Sequence, residues 1–101
     1  MYRKIQVRFF DHLFFVPKTL RNIQILQRIE KEKLTIELIH EKFSRPNIYI
    51  DIGVNVGYWT FGGKHILKDS IKFYCFEPSS LNFMYLKKNL EKFNNYVCNK
   101  F

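Results

Sequence analysis

Two short β-branched runs, each closing on an acidic residue and each followed by a stretch of helical periodicity, constrain this chain more than any other feature. Ile48-Tyr49-Ile50-Asp51-Ile52 is almost wholly apolar until its acid, which suits a strand covered on both faces. Gly53 to Gly57 turns the chain, and Tyr58 to Lys68 continues as a helix despite Gly62 and Gly63, each costing about 1 kcal/mol relative to Ala. That cost points to close packing on a sheet or to a break. Ile71 to Phe76 is the second strand, ending at Glu77, and the turn Glu77-Pro78-Ser79-Ser80 places an N-cap at Ser79 or Ser80. Phe83, Leu86, Leu90 and Phe93 recur at spacings of three and four and make the next helix amphipathic. After Asn94-Asn95, Tyr96-Val97-Cys98 opens a third strand. The order β-α-β-α-β predicts an α/β fold with a parallel sheet and crossover helices.

The upstream part reads differently. Residues 1 to 17 mix aromatics with charges and end at Pro17, as an irregular arm or a short helix would. From Thr19 the residues Leu20, Ile23, Leu26 and Ile29 recur every three positions, followed by Leu34, Leu38 and Ile39, so one or two amphipathic helices are expected up to Phe43. Acids at 30, 32, 37 and 41 interrupt any basic face, favouring packing on the domain over a membrane surface. Ser44-Arg45-Pro46-Asn47 breaks the helix. The division is therefore an N-terminal helical extension, 1–46, and an α/β segment, 47–101.

The chain has 101 residues and a hydrophobic content of 47%, which exclude an extended disordered class and fit one small domain. The net charge of +8 raises the prospect of a polyanionic partner, but its basic residues are scattered and alternate with acids, so nucleic acid is not the favoured partner. No apolar run reaches the roughly 18–20 residues of a membrane span. Cys75 and Cys98 form no CxxC motif, and two free thiols in a reducing, cytoplasmic compartment are expected. His12, His40 and His65 are isolated in sequence, so no metal site is expected.

The chemistry concentrates between Asp51 and Gly57 and at Glu77, since ligands of doubly wound sheets gather at the carboxyl ends of the strands. Gly53 suits a left-handed turn, and Gly57 lets backbone approach a ligand. Glu77 suits the two hydroxyls of a ribose. A dinucleotide fingerprint started at Gly53 requires glycines where Asn55 and Tyr58 stand, and the G-K-[ST] ending of a phosphate-binding loop is missing. Asp51 repels a pyrophosphate but suits the ammonium of an amino-acid cofactor.

The segments YIDIGVNVGYWTF and FYCFEPSSLNFMYLKKNL resemble the D-x-G-x-N-x-G-Y and F-E-P-x-x-x-N-F-x-x-L-x-x-N motifs of the FkbM family of class I methyltransferases, over residues 48–95, with Asp51 and Glu77 separated by 26 positions. The resemblance implies a partial Rossmann-like, doubly wound sheet and S-adenosylmethionine as cofactor. It places Asp51, Gly53, Asn55 and Gly57 at the methionine end, Glu77 at the ribose, and Pro78 and Ser79 near the adenine. Val54 departs from the Ala common in this motif. The implied reaction is methyl transfer to an oxygen, typically a sugar or glycan hydroxyl, with the base and acceptor pocket supplied by strands beyond this chain. Two rival readings are an RNA methyltransferase fragment and a catalytically silent cofactor-binding or interaction module. Tyr58 and Trp59 are read as core or cofactor-flanking residues, and Tyr85 and Lys87-Lys88 as solvent-facing. In the strand order 3-2-1-4-5-6 the first strand pairs with the fourth, which this sequence lacks, so an exposed edge and self-association are also expected.

Overall fold

The computed structural model describes residues 3–42, 48–68 and 71–100. Its elements are β1 (Lys4–Phe9), β2 (His12–Pro17), α1 (Leu20–Leu26), α2 (Ile29–Lys42), β3 (Ile48–Ile52), α3 (Tyr58–Leu67), β4 (Lys72–Phe76), α4 (Ser80–Leu90) and β5 (Tyr96–Asn99). The last three strands form a parallel sheet in the order β3-β4-β5, interleaved with α3 and α4. This is the partial Rossmann-like architecture expected. The helix break at 44–47, and with it the boundary at 46/47, lies outside the described residues.

The start of the chain differs from expectation. Residues 4–17 are neither an irregular arm nor a helix but an antiparallel hairpin in which Val7 pairs with Phe14 and Phe9 with His12. Its turn runs through Phe10 and Asp11 at φ +48° and +66°. Glycine or asparagine is the usual choice there, so the turn carries little sequence signal. Phe9, Phe10, Phe14 and Val16 share one core with Phe61, Val56, Leu86 and Leu90, so the hairpin and the α/β segment are packed together.

The expected stripe on the upstream helices holds in part, since Leu26 and Ile29 pack against the core. Leu20, Leu34, Leu38 and Ile39 are exposed, whereas Ile36 is fully buried. The reason lies in α3, where a Cβ on Gly62 would stand 2.6 Å from the Phe10 ring and 2.9 Å from Ile36. A Cβ on Gly63 would stand 2.9 Å from the ring of Phe73. The glycine pair thus marks close packing of α3 against the hairpin, α2 and the sheet, and the helix is unbroken. Tyr85, expected toward solvent, is buried on α4, while Lys87 and Lys88 are exposed.

β3 lies at the edge of the described sheet. Tyr49 stacks on Phe73 at 4.5 Å on the face covered by α3. On the opposite face Ile48, Ile50 and Ile52 are 56%, 62% and 75% exposed. A strand composed for burial on both sides is therefore covered on one.

Cys75 and Cys98 are direct register partners on β4 and β5, with Cα atoms 4.6 Å apart, and they are joined by a disulfide. The expectation of two free thiols is overturned because parallel pairing brings together residues that are 23 positions apart. The inference of a cytoplasmic compartment loses the basis it had in free thiols. Among the described residues, no helix is long and apolar enough to cross a membrane.

Candidate cofactor-binding site

The loop after β3 hangs from β4 by its backbone. The N–H groups of Gly53 and Val54 both donate to the Phe76 carbonyl, at 2.8 and 3.3 Å. Gly53, Asn55 and Gly57 adopt φ of +70°, +58° and +102°. Asparagine tolerates that region better than most residues, which gives Asn55 a conformational role in the turn.

Asp51 lies before this loop, and the Thr60 hydroxyl on α3 donates to its Oδ2 at 2.7 Å. Burial pushes the Asp51 carboxyl above its ordinary value, and the bond from Thr60 opposes that shift. Glu77 follows β4 and is buried. Its Oε1 accepts the Asn55 N–H at 2.7 Å and its Oε2 accepts the Ser79 N–H at 2.8 Å. One carboxylate therefore ties the two loops at the carboxyl ends of adjacent strands. The Ser79 hydroxyl caps α4 by accepting the Asn82 N–H at 3.3 Å, and Pro78 is exposed.

Of the residues expected at the site, Asp51, Gly53 and Asn55 line a concavity of about 190 Å³, together with Val54, Tyr58 and Trp59. A Cβ built on Gly53 meets nothing within 4 Å, so the backbone is open to an approaching molecule. Glu77, Pro78 and Ser79 stand outside this concavity, Glu77 reaching its rim through Asn55. Gly57 is not among the residues that line this concavity, and a Cβ there would stand 2.9 Å from Leu86 Cδ1. Its small size admits α4.

Three lining residues, Arg21, Ile25 and Glu32, come from the upstream helices and were not expected. Their placement rests on two side-chain ties. The Tyr58 hydroxyl donates to Asn22 Oδ1 at 2.9 Å, and the Trp59 indole N–H donates to Glu32 Oε1 at 2.9 Å. Asn22 is itself held, its amide donating to the Pro17 carbonyl at 3.1 Å. Tyr58, read as a core or flanking residue with Trp59, is buried in the core, Trp59 is half-buried, and both line the concavity. Such a tie leaves no periodicity in the sequence, so only the juxtaposed aromatic pair after Gly57 hinted at it.

The histidines are less isolated than the sequence indicated. His12 Nε2 and His65 Nδ1 are 3.2 Å apart beside a recess of about 370 Å³ at the far end of α3, shared with Lys64, Lys68 and Phe93. Burial, followed by the charge of Lys92, lowers the His12 pKa. Among the described residues, no group of three or more His, Cys, Asp or Glu is placed to hold a metal ion.

The chain matches no protein family model and no curated protein sequence, so the likeness to FkbM proteins rests on the two motifs. Among solved structures, it is similar to PH0793 of Pyrococcus horikoshii, described as a "putative transferase", with a TM-score of 0.66 and 12% identity over 96% of this chain and 36% of that one. It is also similar to YjhP of E. coli, with a TM-score of 0.48 and 16% identity over 69% of this chain and 29% of that one. The chain thus spans about a third of the length of PH0793, and what it shares with that protein is the fold: a three-stranded parallel sheet interleaved with helices.

Proposed function

We propose that this chain is the cofactor-binding half of an S-adenosylmethionine-dependent methyltransferase, similar to FkbM proteins, that methylates a hydroxyl of a sugar or glycan. The observation that carries the reading is the Asn55 to Glu77 bond. It joins the loop that would receive the methionine end to the carboxylate that would receive the ribose, at the carboxyl ends of two adjacent strands of a parallel sheet.

The residues present fit such a cofactor. Gly53 leaves its backbone open, and Asp51 and Glu32 put negative charge beside a concavity facing Arg21. Binding pockets for small molecules commonly span about 300–1,000 Å³. The smaller concavity here accommodates one end of the cofactor. Each Glu77 oxygen accepts one backbone N–H and keeps a second acceptor direction for a ribose hydroxyl.

When bound, S-adenosylmethionine supplies an electrophilic methyl group on a positively charged sulfur. Asp51 would hold the ammonium, Asn55 and Gly53 would present the loop, and Glu77 would orient the ribose. Alignment of donor and acceptor is the main catalytic contribution in such a displacement. The base that takes the acceptor proton is assigned to no residue of this chain. Titration calorimetry with S-adenosylhomocysteine and NAD tests the reading. Binding of the first and not the second is expected; a folded chain that binds neither would favour a silent module.

A further inference from the structure

We propose that Arg21, from a helix outside both sequence motifs, receives the carboxylate of the cofactor's amino-acid end, with its ammonium lodged between Asp51 and Glu32. This rests on the cofactor reading above and adds a specificity-determining residue to it.

The positioning comes first. α1 begins at the Thr19 cap, whose hydroxyl accepts the Asn22 N–H at 3.2 Å. Asn22 follows Arg21 directly and is latched to Tyr58, the first residue of the helix after the Gly53 to Gly57 loop. Arg21 and Ile25, four residues apart and so on one helix face, both line the concavity that also contains Asp51, Gly53, Val54 and Asn55. The helix is therefore held over the loop with its basic residue toward it.

The charges come second. The concavity is lined by two carboxylates, Asp51 and Glu32, and one guanidinium, Arg21. Glu32 Oε1 is engaged by the Trp59 indole, which orients the side chain and leaves Oε2 for another donor. Asp51 Oδ2 is engaged by Thr60, which leaves Oδ1. Arg21 has no ion pair with a described residue. An α-amino acid group is a zwitterion of matching pattern, its ammonium drawn to the two acids and its carboxylate to the planar fork of the arginine. The adjacent positive sulfur is served by the surplus of negative charge. A neutral thioether nucleoside satisfies none of these groups.

Three adenosyl compounds separate the contributions. S-adenosylhomocysteine has both amino-acid charges, its decarboxylated analogue has the ammonium alone, and methylthioadenosine has neither. Wild-type protein is expected to bind them in that order. Arg21→Ala should weaken S-adenosylhomocysteine by about tenfold, the size of a lost charge-assisted hydrogen bond, and leave the other two unchanged. Arg21→Lys should restore part of the loss. Glu32→Gln, which keeps an oxygen for Trp59, should weaken the two ammonium compounds and spare methylthioadenosine. Circular dichroism establishes that each variant is folded. A wild type that binds S-adenosylhomocysteine no tighter than methylthioadenosine, or an Arg21→Ala that weakens all three alike, overturns the inference and leaves the cofactor site standing. A folded wild type that binds none of the three overturns both.

Discussion

The Asn55 N–H and the Glu77 carboxylate meet at 2.7 Å across two loops that are 22 residues apart in sequence. With the Ser79 N–H on the other oxygen, Glu77 is a structural brace as well as a candidate ligand group. Glu77→Gln forces an amide nitrogen against one of these backbone donors. It should destabilise the fold by about 1.5–3 kcal/mol, measured by urea unfolding. An unchanged midpoint would show that the brace contributes nothing.

Asp51 is expected to show the opposite pairing of effects. Its folded-state pKa is raised, chiefly by burial, so its stabilising contribution is present below the unfolded value and is lost as pH rises through the folded one. Above the folded-state pKa the ionised, buried carboxylate therefore works against folding. Asp51→Asn should raise Tm at pH 7, with the Thr60 hydroxyl still bonded to the amide oxygen, and should weaken S-adenosylhomocysteine binding. In wild type, affinity should begin to fall above the ordinary carboxylate range as pH is lowered, and in the variant that dependence should vanish.

The two loop glycines should respond unequally to alanine. Gly53 has open space around it, so Gly53→Ala bears only the cost of a positive φ, roughly 1 kcal/mol. Gly57→Ala adds contact with Leu86 and should cost about 2–4 kcal/mol in chemical denaturation. Equal losses would mean that α4 shifts freely away from the loop.

Much of this arrangement is legible in the sequence because the responsible signals are local. Ile48 to Ile52 and Ile71 to Phe76 announce strands by composition, Ser79 announces a cap, and the loop from Gly53 to Gly57 follows from residues that accept positive φ. The hairpin is not legible because Phe10 and Asp11 fill a turn that normally takes glycine or asparagine. Ile36 replaces Leu34 and Leu38 in the core because Gly62 opens a socket on another helix, a fact that periodicity along α2 does not contain. Arg21 and Glu32 are at the site through Asn22 and Trp59, contacts that span 36 and 27 residues. The histidine pair and the disulfide are hidden for the same reason.

Reduction of the disulfide should be measurable as stability. A crosslink spanning 23 residues restricts the unfolded chain by about 3 kcal/mol in the loop-entropy treatment. Urea unfolding with and without reductant should differ by that order, and thiol labelling of the denatured protein should report no free thiols until reductant is added. Two thiols labelled without reductant would return the chain to the originally expected state.

The open edge and apolar face of β3 should make the chain of 101 residues self-associate. Light scattering is expected to show oligomers that Ile50→Lys reduces. Methyl transfer to saccharide acceptors by this chain alone should be absent. A wild-type monomer with multiple turnovers would refute both expectations.

Asn89 completes the seating of the hairpin on the α/β segment. Its side chain serves the hairpin as a missing strand would, taking the Phe15 N–H at 2.7 Å and donating to the Phe15 carbonyl at 2.8 Å, and it donates to Val56 at 2.9 Å as well. The first partner is 74 residues upstream. On a chain growing from its N-terminus, the hairpin forms early and can seat Phe9 and Phe14 on Tyr58 and Phe61 once α3 has emerged, but the backbone of Phe15 waits for α4. Contacts of such long separation slow folding and leave strand edges unpaired. The unpaired N–H and carbonyl of Phe15 are what is left waiting, which makes the interval before Asn89 arrives the period in which this edge of the nascent hairpin most needs protection from its neighbours.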